Sequence, residues 1–105
     1  MRIYISGKIT GTDDYIQRFT KAEIELLVKY EGAEIINPAT YNQQAPPTFT
    51  HAEYMAVCMA LLSTCDTIYM LKGWETSPGA KAECEYAMFN SYKILSEEKK
   101  DGEAD

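Results

Sequence analysis

Residues 73–83, GWETSPGAKAE, gather side chains that could hold an anion and act on what is attached to it. Ser77 followed by Pro78 marks a helix start: the hydroxyl caps free backbone N–H groups, and proline fits the first helical position because it needs no partner there. Gly79 then lets a ligand come close to the backbone. A phosphate or carboxylate suits such a turn, with the dipole of the following helix behind it. Glu83 lies one turn further on. At about 100° per residue, Ala80, Cys84, Ala87, Met88 and Ser91 form the face expected to pack on a sheet, with Glu83 and Glu85 flanking it on opposite sides. Glu85 shares its side with Lys81, an i, i+4 pair typical of a solvated surface. Glu83 shares its side with Gly79 and Ala87, so a groove of small residues leads to it from the anion-binding turn. A ligand held by its phosphate at Ser77 and Gly79 would lay its sugar against Glu83. The ordinary alternative is an exposed helix glutamate.

These residues need elements to position them. RIYIS reads as a strand that empties into the loop GKITGTDD, where Thr12 or Asp13 could cap the next helix. In that helix Ile16, Phe19, Leu26, Leu27 and Tyr30 share a face, and Gly32 ends it. AEIINP is a second strand, stopped by Pro38. ATYNQQAPPTFT reads as a long polar loop, and its length suggests contact with a ligand. Thr50 caps a helix whose apolar stripe is Met55, Cys58, Met59 and Leu62. DTIYML is a strand covered on both faces. The helix over 78–90 and the short strand YKILS follow.

Strands alternating with helices, joined by right-handed crossovers, give a small three-layer α/β/α fold of Rossmann-like (flavodoxin-like) type, with a mainly parallel sheet of about four strands. Residues 1–95 form this domain, and 96–105 read as a flexible charged tail. Ligands bind such sheets beyond the carboxyl ends of the strands. Three unusual loops, 7–12, 37–49 and 72–79, share that edge.

The totals exclude several classes. A chain of 105 residues supports one core. A formal charge of −6 argues against a nucleic-acid partner, which demands a basic surface. Three cysteines without metal-ligand spacing read as reduced thiols in a cytoplasmic protein. Neither a signal peptide nor a membrane-spanning run is present in the sequence, so no membrane partner is expected.

The order YISGKITG, INP and DTIYMLKGWETSPGAKAECEYA resembles the nucleoside 2-deoxyribosyltransferase-like superfamily. It is most similar to the 2′-deoxynucleoside 5′-phosphate N-hydrolases and the related DUF4406-type proteins of phage and bacteria. The resemblance implies that Glu83 is the nucleophile at the anomeric carbon and that Ser77 and Gly79 hold the 5′-phosphate. It implies that Tyr4 lines the site and that Gly7, Ile9 and Gly11 belong to a loop wrapping base and phosphate. Lys8 and Thr10 depart from that loop, standing where the hydrolases have Ser and Arg; Lys8 could offer its charge to a phosphate. Cys58 stands where the hydrolases carry an Asp that serves the leaving base, and reads here as a packing residue. The implied chemistry is double displacement at C1′, with a raised-pKa acid or the Tyr4 phenol protonating the base. No cofactor is implied, and a homodimer or higher homo-oligomer is.

An N-glycosidase or deoxyribosyltransferase acting on a nucleoside or its 5′-monophosphate is the first expectation. A binding protein that has lost efficient chemistry, such as a sensor or phage-type sponge for a nucleotide signal, is the second, and a structural adaptor the third. Asn37 could bond ligand or make the turn before Pro38. Trp74 could stack on a base or a neighbouring subunit, or cover the core. His51 reads as an exposed first-turn residue, and without carboxylate partners it makes no metal site. Tyr41 and Tyr54 are weaker pocket candidates.

Overall fold

The computed structural model describes residues 1–9 and 11–97, and the chain opens with β1 (Arg2–Ser6). Then come α1 (Tyr15–Lys29), β2 (Glu34–Ile36), α2 (Pro38–Gln44), α3 (His51–Leu62), β3 (Thr67–Met70), a 3₁₀ turn (Trp74–Thr76), α4 (Pro78–Phe89) and β4 (Lys93–Ser96). The strands form one parallel sheet in the order β2-β1-β3-β4. The architecture is the expected small Rossmann-like one.

Period-two alternation explains how the layers part. Ile3 and Ile5 of β1 turn to one face, where they meet Phe19, Ala22 and Leu26 of α1. Tyr4 turns to the other, among Cys58 and Leu62 of α3 and Ala80, Cys84 and Ala87 of α4. β3 is buried throughout, as a strand with helices on both sides must be. The chain steps from β1 to β2 on one side and returns to β3 on the other. That reversal opens a crevice beyond the ends of β1 and β3.

Several local expectations are corrected. α1 buries Phe19, Ala22 and Leu26, while Ile16 and Leu27 are exposed, so the core-facing stripe is narrower than the apolar one. Neither Thr12 nor Asp13 caps α1. Asp14 occupies the cap position without a side-chain bond, and the Thr12 hydroxyl donates to the Ile9 carbonyl at 3.0 Å. The segment read as one long loop holds α2, started by Asn37 and Pro38 with the same chemistry as Ser77 and Pro78. Asn37 Oδ1 accepts from the Ala39 N–H at 3.0 Å. On α4, Met88 is 63% exposed and Glu83 is buried with Ala80, Cys84 and Ala87.

At the chain's far end, Glu97 N donates to the Met70 carbonyl and its carboxylate accepts from Lys72 N, so Ser96 and Glu97 belong to the sheet edge. The remainder of the expected tail, and Thr10, lie outside the described residues. No described helix is long and apolar enough to cross a membrane.

Candidate functional site

Ser77 and Asn37 start their helices at the carboxyl edge of the sheet, and the crevice forms between them. Ser77 Oγ accepts from the Ala80 N–H at 3.2 Å and Pro78 takes the first helical position. α3 is fixed by a reciprocal cap: Thr50 Oγ1 accepts from Glu53 N at 3.2 Å, and Glu53 Oε1 accepts from Thr50 N at 2.9 Å. Between these helix starts and the end of β1 lies a cavity of about 200 Å³. That is below the roughly 300–1,000 Å³ common for larger ligands, so the space suits a small one.

Glu83 forms part of the cavity wall and is only 5% exposed. It sits on the buried 80–83–84–87 stripe of α4, so its carboxyl reaches across to β1. There Tyr4 Oη donates to Oε2 at 2.5 Å and Ser6 Oγ donates to Oε1 at 2.7 Å. Tyr4 and Ser6, two apart on a strand, point the same way and take one oxygen each. Burial pushes the Glu83 carboxyl above its ordinary value, and the two hydroxyl contacts pull it part of the way back. The Tyr4 phenol is held well above its usual value, first by burial, then by the neighbouring Glu83 charge and the adjacent Cys58 thiol. Burial also raises Cys58, against a lowering contact with Tyr4. The Tyr4 proton is thus committed to Glu83, which makes the phenol an anchor for the carboxylate.

Two glycines are set by space. A Cβ on Gly7 would stand 2.9 Å from both Cβ and Cδ1 of Leu71, so the first loop can leave β1 only through a residue without a side chain. A Cβ on Gly79 would meet the Met55 sulfur at 3.1 Å, a flexible neighbour.

The cavity brings together Tyr4, Gly7, Ile9, Ser77, Gly79 and Glu83 of the residues expected from the sequence. It does not include Lys8, Gly11, Asn37 or Trp74 among its lining. Lys8 is half-buried in the first loop, and Gly11 is exposed with φ of +80°. Asn37 caps α2 and donates from Nδ2 to Glu23 Oε1 at 3.0 Å, so both ends of its amide are occupied within the fold. Trp74 packs against the core layer of α3 and α4.

Sequence reasoning passed over Ser6, whose signal is its period-two relation to Tyr4. Tyr54, a weaker candidate from the sequence, lines the cavity with His51, Met55 and Cys58 as one stripe of α3 spaced i, i+3, i+4, i+7, whereas the sequence reads His51 only as an exposed first-turn residue and Met55 and Cys58 only as packing. Tyr15 and Phe19 of α1 add aromatic wall. Among the described residues Glu83 is the one carboxylate in the lining, and no group of three or more His, Cys, Asp or Glu side chains could hold a metal ion.

A family model described as "Domain of unknown function (DUF4406)" matches residues 1–96. No curated protein matches the chain.

Proposed function

Taking as premise that the chain belongs to the DUF4406 family, we propose that its cavity binds a nucleoside or nucleoside 5′-monophosphate and that Glu83 attacks the N-glycosidic bond. One observation carries this reading: the carboxyl of Glu83 lines the same small cavity as Ser77 and Gly79, buried and held at both oxygens. The resemblance to the nucleoside 2-deoxyribosyltransferase-like superfamily supplies the chemistry, since it matches Glu83 to the nucleophile and Ser77 and Gly79 to the phosphate turn. The Gly79 N–H and the dipole at the start of α4 suit a phosphate, and the aromatic wall of Tyr15, Phe19 and Tyr54 suits a base.

The transition state at C1′ carries positive charge, which a carboxylate stabilises before forming a glycosyl ester. Tyr4 and Ser6 fix the Glu83 oxygens so that little reorganisation is needed when the ester forms. Water then releases the sugar, or a second base accepts it. The test is incubation with a panel of deoxynucleosides and their 5′-monophosphates, followed by chromatography for free base. Base release that disappears in Glu83→Gln supports the reading; no release from any of them overturns it.

A binding protein without efficient turnover, a sensor or sponge for a nucleotide, is favoured by a different observation. Among the described residues the lining holds no second carboxylate, and Cys58 occupies the place where the resembling hydrolases have an acid. A rise in melting temperature with a nucleotide that is recovered intact would establish that alternative.

The same reading places the protein in the cytoplasm as a homodimer or higher homo-oligomer. The three free, buried thiols fit a reducing compartment. Self-association is supported by an uncovered apolar stripe on α1, where Ile24 and Val28 are 57% and 81% exposed.

A further inference from the structure

Cleaving a bond to a neutral base asks for two groups: one that attacks C1′ and one that protonates the departing base. Glu83 serves as the first, and the cavity must be searched for the second. Its lining contains six titratable side chains: Tyr4, Tyr15, His51, Tyr54, Cys58 and Glu83. The Tyr4 proton is pointed at Glu83 Oε2, and burial raises both the Tyr4 phenol and the Cys58 thiol, making them reluctant donors. Tyr15 and Tyr54 form the aromatic wall proposed to hold the base. Asn42, the remaining nitrogen-bearing side chain, can donate a hydrogen bond and not a proton.

His51 is left, and its placement argues for it separately from this elimination. It is the outermost rung of the α3 stripe that continues through Tyr54, Met55 and Cys58 to the neighbourhood of Tyr4. The reciprocal cap between Thr50 and Glu53 brackets it and fixes the first turn from which it projects. Its ring stands at the exposed rim, and no hydrogen bond or ion pair ties it to another described residue. Both ring nitrogens are therefore open to a ligand. Glu83 is on the buried wall and His51 on the exposed rim of the same cavity, so a ligand with its sugar against Glu83 and its base directed outward carries the base toward the imidazole.

Resting on the N-glycosidic reading above, we infer that His51 is the proton donor to the leaving base. In the first step Glu83 bonds to C1′ as the C1′–N bond breaks. The bonding pair goes into the base ring, which takes a proton from the His51 imidazolium at a ring nitrogen or carbonyl oxygen on its outward side. In the second step water attacks C1′, the C1′–O bond to Glu83 breaks with its electron pair returning to the carboxylate, and the neutral His51 takes the water proton. Base and sugar leave, and both side chains are restored.

A leaving group that needs no proton tests this directly. In the N-glycoside of nicotinamide with 2-deoxyribose 5′-phosphate the ring nitrogen is cationic, and it departs neutral once it takes the bonding pair. Wild type, His51→Gln and Glu83→Gln are compared on this compound and on ordinary deoxynucleoside 5′-monophosphates, with melting temperatures taken to show that the variants are folded. His51→Gln is expected to lose ~10²–10⁴-fold in kcat/KM on the neutral bases while staying within about threefold of wild type on the pyridinium compound. Glu83→Gln is expected to lose activity on both. Equal loss on both substrates in His51→Gln, or no loss on either, overturns the assignment. So does a wild type that cleaves only the pyridinium compound, although the N-glycosidic reading survives that result. A wild type that releases neither kind of base overturns both.

Discussion

A carboxyl withdrawn from water and moored by two hydroxyls works against the stability of the fold that holds it. The Glu83 carboxyl is raised above its ordinary value, chiefly by burial, so the folded chain holds that proton more tightly than the unfolded one. Its stabilising contribution is complete below the unfolded carboxyl range, near pH 4, and is lost as pH rises through the higher folded value. Glu83→Gln should therefore melt above wild type at pH 7, by the equivalent of about 1 kcal/mol, and the advantage should shrink toward pH 4. Thermal melts across that range check the direction. Tyr4→Phe acts oppositely: it strips Oε2 of its donor and should cost about 1–3 kcal/mol by urea unfolding. It should also raise the Glu83 carboxyl further, since the Tyr4 contact is the larger of the two that lower it. Ser77, Gly79 and Glu83 could be picked out from the sequence because cap, turn and one helical step are local patterns. Ser6 could not, because its role appears only when α4 crosses β1, a pairing of positions 77 apart in the chain.

At the level of elements, the same start signal occurs twice and was read once. Ser77–Pro78 announces α4, and Asn37–Pro38 announces α2 in the same way. α2 is seven residues long and polar, with two prolines soon after it, so its composition imitates a loop. Its cap carries more than its helix. Ser77→Ala should cost about 1 kcal/mol, the usual value of a lost helix cap. Asn37→Ala should cost more, about 1–2 kcal/mol, because it also releases the bond to Glu23 on α1. Chemical denaturation of the two variants side by side tests that ranking. Strand positions and parallel pairing follow from short β-rich runs and crossover rules, and the structure agrees with both. Helix faces were harder to read. On α1 apolar residues exceed what one face can bury, and on α4 the buried stripe is turned toward Glu83 and away from Met88.

For the molecule as a whole, the excess apolar residues of α1 have a use if a second copy covers them. Ile16, Ile24 and Val28 recur at multiples of four along the outer side of that helix, away from Phe19 and Leu26. Light scattering should give a dimer or larger assembly. Ile24→Asp combined with Val28→Asp should give a monomer with an unchanged circular dichroism spectrum, because neither side chain contributes to the core. One further property follows from where the sulfurs lie. Cys58, Cys65 and Cys84 are all buried, and all belong to the layer between the sheet and the helices α3 and α4. At 6–7% exposure they offer a thiol reagent little access until that layer opens, so its rate of incorporation is a stopwatch for that motion. Cys58 borders the cavity, whereas Cys65 precedes β3 at the opposite end of the sheet. An occupant of the cavity would therefore slow modification at the first sulfur more than at the second, reporting its arrival without any label attached.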